Sequence, residues 1–102
     1  MNLNEYQDLR AVYTVYKKQH FADGLVYSVL ALCGESGELA NKLKKHLRKG
    51  TEPDREMLAD ELGDCLWYVA AVAAELGISL EEVAQMNLRK LAARKAADKI
   101  TG

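Results

Sequence analysis

The run Met57-Leu58-Ala59-Asp60-Glu61-Leu62-Gly63-Asp64-Cys65-Leu66-Trp67-Tyr68-Val69-Ala70-Ala71-Val72 decides how the chain is read. It lacks the alternating, β-branched pattern of a strand and reads as a helix. On a wheel of about 100° per residue, Glu61 and Asp64 share a face with Met57, Leu58, Cys65, Tyr68 and Val72. Two acids thus interrupt a stripe that should turn toward a core, and a carboxylate buried without a partner is expensive.

Working outward, the signals on either side are also helical. Thr51-Glu52-Pro53-Asp54 supplies a capping Thr, early acids and a proline within the first turn, and Gly77 closes the same helix after Leu76. Ser79 with Glu82 forms a capping box that opens a further helix, running to about Lys99. Upstream, a helix spans about Leu25 to Arg48, with Lys49-Gly50 as a basic end and a glycine stop. A first helix is expected from about Asn4 to His20, with Leu9, Val12, Tyr13 and Tyr16 at helical spacing and Phe21-Ala22-Asp23-Gly24 as its closing turn. Connections this short predict an all-α, four-helix antiparallel bundle.

A chain of 102 residues reads as one domain, residues 1–102, whose modest core makes oligomerisation expected. Lys and Arg number 14 against 15 Asp and Glu, which argues against nucleic-acid binding through a broad basic surface. With 2 cysteines there is no disulfide scaffold, and Cys33 and Cys65, both within apolar runs, read as buried free thiols. No signal peptide is evident, and no apolar stretch approaches the roughly 20 residues that span a bilayer. The expected compartment is the cytoplasm, with no membrane partner.

Acidic pairs at i, i+3 occur three times. Glu5/Asp8 lies in the opening turns of a helix and complements its dipole. Glu35/Glu38 resembles Glu61/Asp64. Glu35 falls next to Leu39 at the edge of a leucine face formed by Leu25, Leu32, Leu39 and Leu43, and Glu38 lies beside it. Four carboxylates converging between packed helices require protons, arginines or a divalent cation. Pairs on antiparallel helices build an all-oxygen cage suited to hard Mg²⁺ or Mn²⁺. A di-iron site needs Glu-x-x-His pairs, which His20 and His46 do not supply.

Lys42, Lys45 and Lys49 continue the stripe beyond Glu38, while Asn87, Lys90 and Arg94 align at i, i+3, i+7 on the last helix. A polyphosphate held on a metal needs cations on the side away from the carboxylates, and Lys42, Lys45, Lys90 and Arg94 are the candidates. No Gly-rich phosphate loop and no nucleophile–histidine arrangement is present.

Gly34-Glu35-Ser36-Gly37-Glu38-Leu39-Ala40, followed by Asp60-Glu61-Leu62-Gly63-Asp64-Cys65-Leu66-Trp67-Tyr68, resembles the paired Glu-x-x-Glu and Glu-x-x-Asp motifs of the MazG family of nucleotide pyrophosphohydrolases. The resemblance extends to Asn2-Leu3-Asn4-Glu5-Tyr6-Gln7, to Leu76 through Val83, and to Met86-Asn87-Leu88-Arg89-Lys90-Leu91 with Arg94. It implies Mg²⁺-dependent cleavage of nucleoside triphosphates, often deoxy or non-canonical ones, to monophosphate and pyrophosphate. It also implies a homodimer or homotetramer with sites near subunit contacts. The implied metal ligands are Glu35, Glu38, Glu61 and Asp64, and the implied phosphate-side residues are Asn87, Lys90 and Arg94. Glu38 or another glutamate of the cluster would act as base on the attacking water, which places the catalytic assignment on Glu38 and Glu61. Where many members carry a double Glu at the start of the first motif, this chain has Gly34. Two rival readings are a non-catalytic helical interaction module with an acidic groove, and a nucleic-acid-binding protein using Lys42 to Lys49.

Overall fold

The computed structural model describes residues 1–16 and 21–97. Four α-helices and one short 3₁₀ turn account for nearly all of these residues, with no strand among them. Helix α1 spans Leu3–Arg10, the 3₁₀ turn Ala11–Tyr13, α2 Phe21–Lys49, α3 Arg55–Glu75 and α4 Leu80–Ala96.

Helices α2 and α3 form the frame. Gly24 approaches Glu75, Ser36 approaches Cys65 and Lys42 approaches Glu61, so the two helices run antiparallel in one continuous register. The connection between them follows from local chemistry. Gly50 takes φ 69°, Thr51 N–H bonds His46 O and Gly50 N–H bonds Leu47 O, which ends α2 in a Schellman motif. Asp54, not the expected Thr51, then caps α3 by accepting from Met57 N–H at 3.2 Å, while Thr51 Oγ1 pairs with His46 Nδ1 at 2.9 Å. Pro53 stands just before this cap rather than within the first turn.

The α3–α4 corner repeats the device. Gly77 takes φ 71°, Ile78 N–H bonds Ala73 O and Gly77 N–H bonds Ala74 O. Ser79 caps α4 by accepting from Glu82 N–H at 3.1 Å, as its capping-box sequence predicts. A Cβ at residue 77 would meet no atom within 4 Å, so Gly77→Ala carries only the backbone cost of a left-handed alanine. A loss of about 1 kcal/mol in urea unfolding is expected, and no measurable loss would mean that the corner relaxes.

Three features depart from the expected bundle. First, α4 turns 96° away from α3 and does not lie antiparallel to it. The radius of gyration, 16.4 Å, exceeds the roughly 13 Å of a compact chain this long. Second, α1 ends at Arg10 and the chain extends at Thr14, because Val12-Tyr13-Thr14-Val15-Tyr16 is wholly β-branched or aromatic. The expected continuation to His20 lies partly outside the described residues. Third, Phe21–Gly24 is not a turn but the first turn of α2. Gly24 lies where α2 meets Glu75: a Cβ there would stand 2.0 Å from a Glu75 carboxylate oxygen, so that side chain would have to move.

The first helix also buries the opposite face from the one its apolar spacing predicts. Leu9 and Val12 are exposed, whereas Gln7 and Arg10 are buried. Gln7 Nε2 donates to Ile78 O at 3.0 Å and Ala70 O at 3.3 Å, and its Oε1 accepts from Leu80 N–H at 2.9 Å. Asn4 Oδ1 accepts from Glu81 N–H at 3.1 Å. Two polar side chains of α1 thus satisfy the first-turn donors of α4 that helix geometry leaves unpaired.

Among the described residues the buried apolar set is small: Ala70, Ala71, Ala73 and Leu80. Leu30, Leu43, Leu47, Leu62 and Leu66 remain exposed, and so does Cys33, which is not the buried thiol expected from its apolar run. No single helix among the described residues is long and apolar enough to cross a membrane.

Candidate metal centre

Glu35 projects from the middle of α2, and Glu61 and Asp64 from the first half of α3. One carboxylate oxygen from each lies within 4.8 Å of the others. The wheel placed Glu61 and Asp64 on the inward face: Glu61 is 7% exposed, whereas Asp64, at the rim of that face, is exposed. Their neighbours on that face, Met57, Leu58, Cys65, Tyr68 and Val72, are half-buried. The α2–α3 register then decides which acid of the first pair joins: Glu35 meets Glu61 and Asp64, whereas Glu38, one turn on, is exposed and stays outside the group.

Three carboxylates this close disfavour one another's ionisation. Burial raises the Glu35 carboxyl above its ordinary range, and the charges of Asp64, Glu61 and Glu38 push the same way, against Lys42. Asp64 is raised by partial desolvation and then by Asp60 and Glu61, again against Lys42. Lys42 Nζ forms an ion pair with Glu61 Oε1, and that hydrogen bond is the main cause holding the lysine pKa above its usual value. The donor set is all-oxygen, contributed by two rigid helices and short of positive charge, which fits a hard divalent cation.

These shifts give a signed expectation for the metal-free protein. Glu35 and Asp64 hold protons more tightly when folded than when unfolded. Above their raised pKa values both are ionised, and their repulsion subtracts from stability. As pH falls through those values the folded state takes up protons first, and stability rises toward the ordinary carboxylate range. In chelator, Glu35→Gln should therefore melt above wild type at about pH 8, and the gap should close as pH falls toward about 4. A gap independent of pH would contradict the shift.

Two clefts flank the carboxylates. On one side Tyr13, Val15, Trp67 and Tyr68 join Glu35 and Asp64 around a cleft of about 270 Å³. Trp67 meets Tyr68 edge-on with ring centroids 4.8 Å apart, and the Arg10 guanidinium lies over the Trp67 ring at 5.0 Å. On the other side Lys42, Lys45, His46, Lys49 and Met57 line a cleft of about 310 Å³. The sequence pattern indicated Lys42 and Lys45 but not His46. Trp67 was legible in retrospect, since it follows Asp64 at i+3 on the same side of α3. Arg10 and Tyr13, brought in from α1 and the 3₁₀ turn, carry no local signal.

The last helix places its candidates elsewhere. Asn87 and Lys90 line a mostly apolar cleft with Ile78, Val83 and Met86, and Arg94 is exposed in the final turn. Among the described residues, no hydrogen bond or ion pair joins Asn87, Lys90 or Arg94 to the carboxylates.

Comparison with known proteins adds a family and a relative. The model of the MazG nucleotide pyrophosphohydrolase domain matches residues 27–97, which contain all four candidate acids. Gene 37 protein of Mycobacterium phage L5 is 46% identical over 84 residues, covering 78% of this chain and 74% of that protein. No solved structure matches.

Proposed function

The chain belongs to the MazG nucleotide pyrophosphohydrolase family, and from that membership we propose that it hydrolyses (deoxy)nucleoside triphosphates to monophosphate and pyrophosphate with Mg²⁺. The observation that carries this reading is the convergence of Glu35, Glu61 and Asp64 within 4.8 Å across two antiparallel helices.

These three carboxylates would hold the cation, with Glu38 beside them. Mg²⁺ suits the donor set, and Mn²⁺ would substitute. When bound, the cation supplies Lewis acidity to the phosphate chain. The rest falls to the protein's own groups. Glu38, exposed and outside the group of three, takes the proton of the attacking water. Lys42 and Lys45 offset the charge of the phosphates along the basic cleft. Trp67 and Tyr68, with Tyr13 opposite, offer the base an aromatic cleft next to the carboxylates. Asn87, Lys90 and Arg94 are assigned to the phosphates by family resemblance alone.

We assign the assembly as a homodimer or homotetramer. Leu62 (59% exposed) and Leu66 (38%) form an apolar cleft with Ala59, Cys65 and Val69 on α3, and a monomer rarely leaves such surface in water. Sedimentation at micromolar concentration should give a multiple of 11.3 kDa; a monomer would remove the assignment.

The decisive experiment incubates the purified protein with common and modified nucleoside triphosphates, with and without Mg²⁺, and separates pyrophosphate from orthophosphate. Metal-dependent pyrophosphate release supports the reading. No cleavage with any nucleotide or metal would leave the acidic groove as a binding surface.

A further inference from the structure

Lys42 and Glu61 are unequal partners. The Glu61 side chain is 9% exposed, so it cannot turn to water for another counter-ion. The Lys42 side chain is 32% exposed and also lines the cleft of Lys45, His46 and Lys49. The acid is fixed and the base is movable. Moreover, the oxygen that Lys42 engages, Glu61 Oε1, belongs to a carboxylate that the three-acid group would present to a cation. An ammonium and a divalent cation on one carboxylate repel each other. Lys42 has an alternative position in the basic cleft, yet that cleft already carries Lys45 and Lys49, and a third ammonium is unwelcome there until an anion arrives.

We propose that Lys42 is the internal counter-ion of the metal site: it neutralises Glu61 in the metal-free protein, opposes cation binding, and transfers to the phosphate chain when a triphosphate enters. The inference rests on the metal-dependent reading given above and adds a regulatory element to it. Metal and nucleotide then bind with positive coupling through one side chain, and the coupling is reciprocal. The ion pair disfavours loading of the site by free cation and favours loading by cation and polyphosphate together. A merely structural salt bridge would stabilise the α2–α3 packing and leave metal affinity untouched.

The test is Mn²⁺ binding in the absence of nucleotide, followed by the electron paramagnetic resonance signal of the free ion, on wild type, Lys42→Met, Lys42→Arg and Glu61→Gln. Lys42→Met should bind Mn²⁺ about tenfold tighter than wild type, within the range of roughly 5–150-fold typical of coupled sites, and Lys42→Arg should bind as wild type does. The fluorescence of Trp67, the only tryptophan in the chain, gives the second readout. The factor by which Mn²⁺ improves binding of an α,β-imido triphosphate should shrink in Lys42→Met. Equal or weaker Mn²⁺ binding by a folded Lys42→Met, with wild-type binding abolished by Glu61→Gln, overturns the role of Lys42 alone. Absence of Mn²⁺ binding in wild type and Lys42→Met alike overturns the metal reading and this inference together.

Discussion

Glu61→Gln is expected to lower metal-dependent pyrophosphate release by about a thousandfold, without unfolding the protein. A bound cation contributes several kcal/mol to the stabilisation of charge in phosphoryl transfer, and each 1.36 kcal/mol is about a factor of ten in rate. Glu61 is the most buried of the three converging acids and cannot be replaced by a neighbour swinging in. The amide keeps its volume and removes its charge. Relief of repulsion with Glu35 and Asp64 opposes the loss of the Lys42 pair, and Lys42 can turn outward, so stability should move little. Single-turnover assays beside circular dichroism melts separate the two effects. Turnover within tenfold of wild type would exclude Glu61 from the metal set.

The largest effect on stability is expected far from the acids, at Gln7→Ala. The Gln7 amide accepts from Leu80 N–H and donates to Ile78 O and Ala70 O. Ala70 O keeps its place in the α3 ladder, but Leu80 is 4% exposed and its N–H has no water to turn to. Each buried backbone group left unpaired costs about 1–3 kcal/mol, so a loss of about 2–4 kcal/mol is expected once the vacated volume is added. That is a large part of the 5–15 kcal/mol that holds a typical domain together. Asn4→Ala removes the neighbouring bond to Glu81 N–H at an exposed position and should cost about 1 kcal/mol or less. Urea unfolding of both variants makes the comparison; equal losses would show that burial at the α3–α4 corner is not the cause.

The sequence reading succeeds where a signal is local. Ser79, Gly50 and Gly77 each act within one helical turn, and each acts as its residue type predicts. The two acidic motifs stand out because a carboxylate on an apolar stripe is anomalous on its own helix. What could not be read is what depends on the register between helices. Glu35 lies at the edge of the leucine face with Glu38 beside it, and only the alignment of α2 on α3 gathers Glu35 with Glu61 and Asp64 and aims Lys42 at Glu61. Gly24 illustrates the same gap: as a sequence it reads as a turn, yet it lies in α2, where the helix packs closely against Glu75 of α3. Gln7 was invisible for a stronger reason. A polar residue on a short helix normally faces water, and nothing near it in sequence announces that its partners lie 63 to 73 residues away.

That separation bears on how the protein is made. Helix α1 and the backbone groups it must meet lie far apart along the chain, Gln7 against Ala70, Ile78 and Leu80. At about 5–20 residues per second, Gln7 waits some 4–15 s for Leu80 to be added. Helices α2 and α3, joined by a short connection, close only a small loop to pair, whereas α1 must close a loop of more than 60 residues to dock. Pairing of α2 with α3 is therefore expected to precede the docking of α1. The 3₁₀ turn that carries Tyr13 to the aromatic cleft follows α1 directly, so the cleft is completed only when α1 docks on the α3–α4 corner.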